Sequence, residues 1–285
     1  MDSLSIIIPA KNEGESLARI LPKLRADFPS AEIIVVNDNS ADNTIDICWK
    51  NNVTLLTHPY SVGNGGAVKS GARAAKGKTL VFMDGDGQHN PDDVARLLSK
   101  LDEGYDMAVG ARDSLSQATM GRKVANAAYN RLASWMVGQN IDDLTSGFRA
   151  VKANLFRRFL YLLPNGFSYP TTITMSFFRA GYSVAFVSIH AEMREGKSHI
   201  RAGRDGIRFL LIIFKIGTLY APLKFFFPIS LGFFITGFSY YLYTFISFQK
   251  FTNMSALLFI TSILVFLIGL VSEQITILNY KDSEK

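Results

Sequence analysis

Residues 80–93 read LVFMDGDGQHNPDD. An apolar run passes directly into Asp84 and Asp86, then Gln88, His89 and further acid. Two carboxylates and an amide oxygen offer the hard donors that Mg²⁺ or Mn²⁺ prefer. A solvated polar turn is the competing reading of these residues alone. An EF-hand loop is excluded: counted from Asp84, the sixth position is His89 instead of glycine and the twelfth is Ala95 instead of glutamate. A phosphate-binding P-loop is excluded as well, because in GNGGAVKS (63–70) Val68 stands where the glycine before the lysine belongs.

Outward from this stretch, short apolar runs alternate with helical periodicity. Residues 4–8 predict a strand closed by Pro9, and Leu17, Ile20, Leu21 and Leu24 mark one face of a helix. Residues 33–36, 53–56, 79–83 and 107–110 predict further strands, and 65–76 and 91–101 helices. Asn90 is placed to cap the second of these helices, with Pro91 at its first position. Near-continuous apolar strands alternating with helices predict an α/β fold with a mostly parallel sheet covered on both faces. Ligands of such sheets bind beyond the carboxyl ends of the strands. PAKNE, NDNS and DGDGQ all follow strands and converge there.

The last quarter differs in kind. The chain has 285 residues, 48% of them hydrophobic and 19% charged, and its mean hydropathy is +0.15. The apolar excess is concentrated after residue 206. Residues 225–248 and 251–272 carry no charge, and about 20 apolar residues cross a bilayer as a helix. They predict a transmembrane hairpin over 225–279, with spans at 225–248 and 251–278. Arg194, Lys197, Arg201, Arg204, Arg208, Lys215 and Lys224 precede it, while its connection carries only Lys250. The positive-inside rule then places the N-terminal domain, 1–202, and both termini in the cytoplasm. Residues 203–224 predict a basic interfacial helix, which accounts for much of the +6 net charge without nucleic acid. The apolar run at 6–8 is too short for a signal peptide, and the lone Cys48 suits a reducing compartment.

PAKNE, VVNDNS, MDGDGQHNP, VGAR, DLTSGFRAV and REGKSH occur in this order, with LLPNGFSYPTTITMSFFRAGY before the last of them. Together they resemble the family 2 glycosyltransferases of GT-A fold, and more closely the polyprenyl-phosphate sugar synthases of the dolichyl-phosphate mannose synthase and undecaprenyl-phosphate type. The resemblance covers residues 4–199. It implies a metal-dependent, inverting transferase that moves one sugar from a UDP- or GDP-linked donor to a polyprenyl phosphate. It assigns Pro9, Lys11, Glu13, Val36, Asp38, Asp84, Gly85, Asp86, Arg194, Lys197 and His199 to the nucleotide sugar. Asp84, Asp86 and Gln88 would hold Mg²⁺ or Mn²⁺.

Arg112 and Arg122, with Asn126, match the acceptor-phosphate region. Asp86, Asp143, Arg112 and Arg122 form the implied catalytic set. Asp143 would orient the attacking oxygen or contact the sugar, a turn-capping role standing equally open. Relatives usually carry tyrosine at Lys11, a second acid at Asn37 and lysine at His199. His58 and His89 read as structural or solvent-exposed, and Trp49 and Trp135 as packing. A processive polysaccharide synthase is disfavoured, since no QxxRW occurs and two spans make no pore within one chain. A non-catalytic sugar-nucleotide-binding membrane protein has no use for the acid cluster. The sugar and any homo-oligomer number are not legible.

Overall fold

The computed structural model describes residues 3–112, 120–166, 168–190, 214 and 218–281. Its centre is a seven-stranded sheet of order β3-β2-β1-β4-β6-β5-β7. The strands are β1 (Leu4–Ala10), β2 (Glu32–Asn37), β3 (Thr54–Thr57), β4 (Thr79–Phe82), β5 (Met107–Arg112), β6 (Arg149–Lys152) and β7 (Val184–Ile189). All neighbouring pairs are parallel except those of β6, which runs antiparallel between β4 and β5. The helices of this part are α1 (Gly14–Asp27), α2 (Thr44–Lys50), α3 (Asn64–Ala74), α4 (Asp92–Asp102), α5 (Met120–Val137), α6 (Ala153–Arg158) and α7 (Tyr169–Arg179).

The helix face Leu17, Ile20, Leu21 and Leu24 is buried against Ile6, Ile8, Ile33 and Val35, as its spacing predicts. Strand β1 does not stop at Pro9. Ile7 O accepts from Met83 N on the β4 side, and Ala10 O accepts from Asp38 N on the β2 side. Alternation therefore turns the Pro9 nitrogen toward β4, where pairing has already ended at Ile7↔Phe82. A proline without its N–H leaves no gap there. The α4 helix begins at Asp92, and Asn90 Oδ1 accepts from Asp92 N at 3.1 Å.

The chain leaves β1 toward β2 and β3, then returns to β4 on the other side of β1. That reversal opens a crevice at the carboxyl ends of β1 and β4.

Contacts divide the chain into two units, one within residues 1–134 and 139–198, the other within 135–138 and 199–285. The second unit contains α8 (Pro222–Phe248) and α9 (Asn253–Lys281). Pro222–Phe248 and Asn253–Leu278 are long and apolar enough to cross a membrane. Their pairing uses reciprocal bonds: Ser230 Oγ donates to Ser262 O and Ser262 Oγ to Ser230 O, both at 2.9 Å. Phe234 meets Phe259 with ring centroids 5.6 Å apart. Gln249, at φ 51°, ends α8 and lets the chain reverse. The expected interfacial helix lies outside the described residues except at 214 and from 218 onward.

Candidate active site

The crevice holds a cavity of about 510 Å³. Pro9, Ala10, Lys11 and Glu13 reach it from the end of β1, and Asp38 from the end of β2. The approach to α3 supplies Ser61, Gly63, Asn64 and Ala67, and the end of β4 supplies Asp84, Gly85 and Asp86. Most of the sequence-predicted nucleotide residues are thus brought together. Val36 is not among the lining residues. Its side chain is wholly buried, because α3 packs on that face of β2 and brings Gly71 against it. Arg194, Lys197 and His199 lie outside the described residues.

Asp38 is buried, and its carboxylate faces its own protein. Oδ1 accepts from His58 Nδ1 at 2.8 Å and Val62 N at 2.7 Å. Oδ2 accepts from Ser61 Oγ at 2.7 Å and Gly63 N at 2.9 Å. An ionised carboxylate only accepts, so His58 Nδ1 carries a proton toward Asp38, and Nε2 lies 2.9 Å from the Ser70 hydroxyl. His58 is therefore structural. Burial opposes the Asp38 charge, but the bonds from His58, Ser61, Val62 and Gly63 outweigh it and hold the carboxyl down to about 2.

The unfolded carboxyl ionises near 3.8, so the folded value is depressed and the stabilisation is complete above that pH. It is lost as pH falls from about 4 to about 2, and amounts to about 2 kcal/mol. Thermal unfolding against pH in detergent should show this acid limb in the wild type. Asp38→Asn should flatten it and lower stability at neutral pH; an unchanged limb would remove Asp38 as its source.

Lys11 Nζ donates to Ser61 Oγ at 2.9 Å, tying the β1 end to the loop that Asp38 anchors. The GNGG stretch makes a close contact instead of a phosphate loop. A Cβ on Gly65 would lie 2.0 Å from Pro164 O, and Gly66 N donates to Asn165 O at 2.8 Å.

Asp84 is backed by the TSGFR turn. A Cβ on Gly147 would lie 2.7 Å from Asp84 Oδ2 and 3.1 Å from the Tyr169 hydroxyl, which itself donates to Gly147 O at 3.1 Å. Only glycine leaves that space to the carboxylate. Asp86 Oδ1 accepts from Gln88 N at 3.2 Å. No set of three His, Cys, Asp or Glu converges among the described residues. Two carboxylates that leave further positions to water and phosphate oxygens fit Mg²⁺ or Mn²⁺, which are commonly held in that way.

Arg112 and Asp143, assigned separate roles from sequence, are one ion pair. Arg112 Nε lies 2.8 Å from Asp143 Oδ2, Nη2 lies 3.2 Å from Oδ1, and Nη2 also donates to Thr145 Oγ1 at 2.6 Å. Burial opposes both charges, yet the pairing keeps the Asp143 carboxyl below its ordinary range and Arg112 above its own. Asn126 sits half-buried on α5. The Arg122 side chain lies outside the described residues. His89 is buried and stacked on Phe148, 4.8 Å between centroids, and burial lowers its pKa despite Asp84 and Asp86. Trp49 is 66% exposed and Trp135 50% exposed, so neither is the packing residue that sequence suggested. Trp49 lies in the last turn of the short α2.

A second cavity of about 530 Å³ opens at the opposite end of the sheet. Its Lys152 is paired with Asp106 at 2.8 Å, and its Arg157 donates to the carbonyls of Ala72 and Ala75. These two basic groups hold the fold, away from the acid pair.

The profile of the family described as Glycosyl transferase family 2 matches residues 5–162. The chain belongs to that family. Residues 221–278 match the GtrB C-terminal hairpin. The undecaprenyl-phosphate mannosyltransferase of Micrococcus luteus is 31% identical over 221 residues, covering 70% of this chain and 88% of the relative. The polyprenol monophosphomannose synthase of Mycolicibacterium smegmatis is 28% identical over 205 residues, with coverages of 67% and 77%. An uncharacterized Methanocaldococcus jannaschii protein is 34% identical over 157 residues, which span 52% of this chain and 64% of that protein. Among solved structures, glucosyl-3-phosphoglycerate synthase of Mycobacterium tuberculosis superposes with a TM-score of 0.60 at 20% identity, covering 74% of this chain and 80% of that one. That structure holds Mn²⁺, uridine diphosphate and glucosyl-3-phosphoglycerate. At this identity the likeness shows the shared GT-A fold of this family 2 glycosyltransferase.

Arg149, Gly147 and Tyr169 are site residues that sequence reasoning left without roles. TSGFR and the segment around Tyr169 were visible as motifs, but only the antiparallel insertion of β6 carries them to Asp84.

Proposed function

We propose that the protein transfers a single sugar, with inversion, from a nucleotide sugar to a polyprenyl phosphate at the cytoplasmic face of a membrane. The observation that carries this is the acid pair Asp84 and Asp86 in the switch-point cavity of a family 2 chain that ends in an apolar hairpin. The polyprenyl-phosphate names of its relatives support the acceptor class.

Lys11, Glu13 and the start of α3 border the space for the nucleoside diphosphate. A divalent cation held by Asp84 and Asp86 would offset charge on the departing nucleoside diphosphate. The acceptor needs little activation. A phosphate monoester has a second pKa of about 6, so its oxygen is already an anionic nucleophile. It attacks the anomeric carbon as the bond to the diphosphate oxygen breaks. What it requires is placement and charge neutralisation. Arg112, held by Asp143, would serve that purpose, with Arg122 and Asn126 on α5. The basic residues 194–224 and the hairpin would keep the domain at head-group level, where the lipid phosphate lies.

The test uses full-length protein in detergent with Mn²⁺ or Mg²⁺, undecaprenyl or dolichyl phosphate, and a panel of UDP- and GDP-sugars. The expected product, read by mass, is one monosaccharide on the lipid, absent with Asp86→Ala. Polymer, or hydrolysis of the donor with no lipid product, would overturn the assignment.

A further inference from the structure

Arg149 lies on β6, opposite Phe82 of β4 and Val109 of β5, and is 0% exposed. Among the described residues its guanidinium touches no carboxylate. Nη1 donates to Thr174 Oγ1 at 3.2 Å and Pro170 O at 3.3 Å, and lies 3.8 Å from Met107 Sδ. Nη2 donates to Ser146 O, and Nε has no partner. The group lies over the Tyr169 ring, 5.8 Å from its centroid. A buried charge without an ion pair is costly and needs a compensating field. Burial depresses the Arg149 pKa, and Tyr169, Asp143 and Asp84 act in the opposite direction.

We propose that Arg149 is a positioning residue, the buried counter-charge of the acid site, which keeps the cation-loaded cluster attractive to a nucleoside diphosphate. The proposal rests on the function given above. The charges of Asp84, Asp86 and Asp143 act on Arg112, and those of Asp84 and Asp143 on Arg149, so the three acids and two guanidiniums together leave one net negative charge. A divalent cation turns that balance to one positive, which suits an anionic diphosphate. Without Arg149 the same cluster starts two negative and is merely neutral once loaded. The arginine also acts through geometry. Its bond to Ser146 O holds the turn whose next residue, Gly147, backs Asp84.

The counter-charge gives effects of opposite sign, which a merely structural arginine would not. Full-length wild type, Arg149→Met and Arg149→Lys are compared in detergent. Mn²⁺ affinity alone is read from the spin-resonance signal of free Mn²⁺, and UDP and GDP affinities by calorimetry with Mn²⁺ present. Arg149→Met is expected to bind Mn²⁺ alone about threefold tighter and the preferred diphosphate about tenfold weaker. Arg149→Lys, which keeps the charge and loses the fork, should hold both within about threefold of wild type. Weakening of both ligands in Arg149→Met, or of neither, overturns the proposal. If that variant does not fold, Arg149→Lys decides: a tenfold loss of diphosphate binding overturns it, and retention supports it. Wild type that binds neither Mn²⁺ nor either diphosphate removes the proposed function, and the counter-charge with it.

Discussion

Asp84→Asn is expected to slow sugar transfer by roughly a thousandfold, about 4 kcal/mol of barrier, while thermal unfolding stays near that of wild type. The asparagine keeps the shape and loses the charge. Asp84 stands just past the last paired residue of β4, so no strand hydrogen bond depends on its side chain. Its carboxylate is located by what surrounds it, with Gly147 behind it and the Tyr169 hydroxyl beside that glycine. Gly147→Ala provides the companion experiment. A methyl 2.7 Å from Asp84 Oδ2 must push the carboxylate away while its charge is kept. A similar loss of kcat/KM in both variants would show that charge and placement are each required. Asp84→Asn within tenfold of wild type, with lipid product read by mass, would remove Asp84 from the machinery.

Asp143→Asn is expected to destabilise the protein by about 1–3 kcal/mol, because it leaves the half-buried Arg112 without its counter-ion. Asp143 is 4% exposed, and it fixes Arg112 through two nitrogens while also accepting from Thr145 N at 3.0 Å. Transfer should fall with stability, as Arg112 loses the partner that fixes its orientation. The pair can be separated from its parts. Arg112→Met together with Asp143→Asn should be less destabilised than Asp143→Asn alone, with a coupling of about 2 kcal/mol between the sites. Additive losses in thermal unfolding would mean that the two residues act independently, against the geometry.

The two effects differ in kind. Asp84→Asn is expected to act mainly on chemistry, whereas Asp143→Asn is expected to act on both stability and transfer. Asp143 Oδ1 also accepts from Thr145 N and the Thr145 hydroxyl, which ties the local turn. Arg149 adds a third behaviour, a buried charge that acts on ligands it does not touch.

The sequence by itself determined the parallel strands, the acid pair at the end of β4 and the apolar hairpin. Each is a local property: a strand announces itself in four to seven adjacent residues, a span in more than twenty, and the end of a strand in the polar cluster that follows. The crevice followed because strand ends of a parallel sheet gather on one edge. Only the tertiary structure decided which side chains within the motifs face the cavity. Val36 and Asp38 are close neighbours in one motif and share a face of the sheet, yet α3 covers the first, and the loop at 58–63 claims both oxygens of the second. The Arg112–Asp143 pair joins residues 31 apart in the chain. Arg149 reaches the site only because β6 enters the sheet antiparallel between β4 and β5. Periodicity reports the burial of a segment, not its partner. Pairing is set by long-range packing, and that packing turned an unremarked arginine in TSGFR into the buried cation of the site.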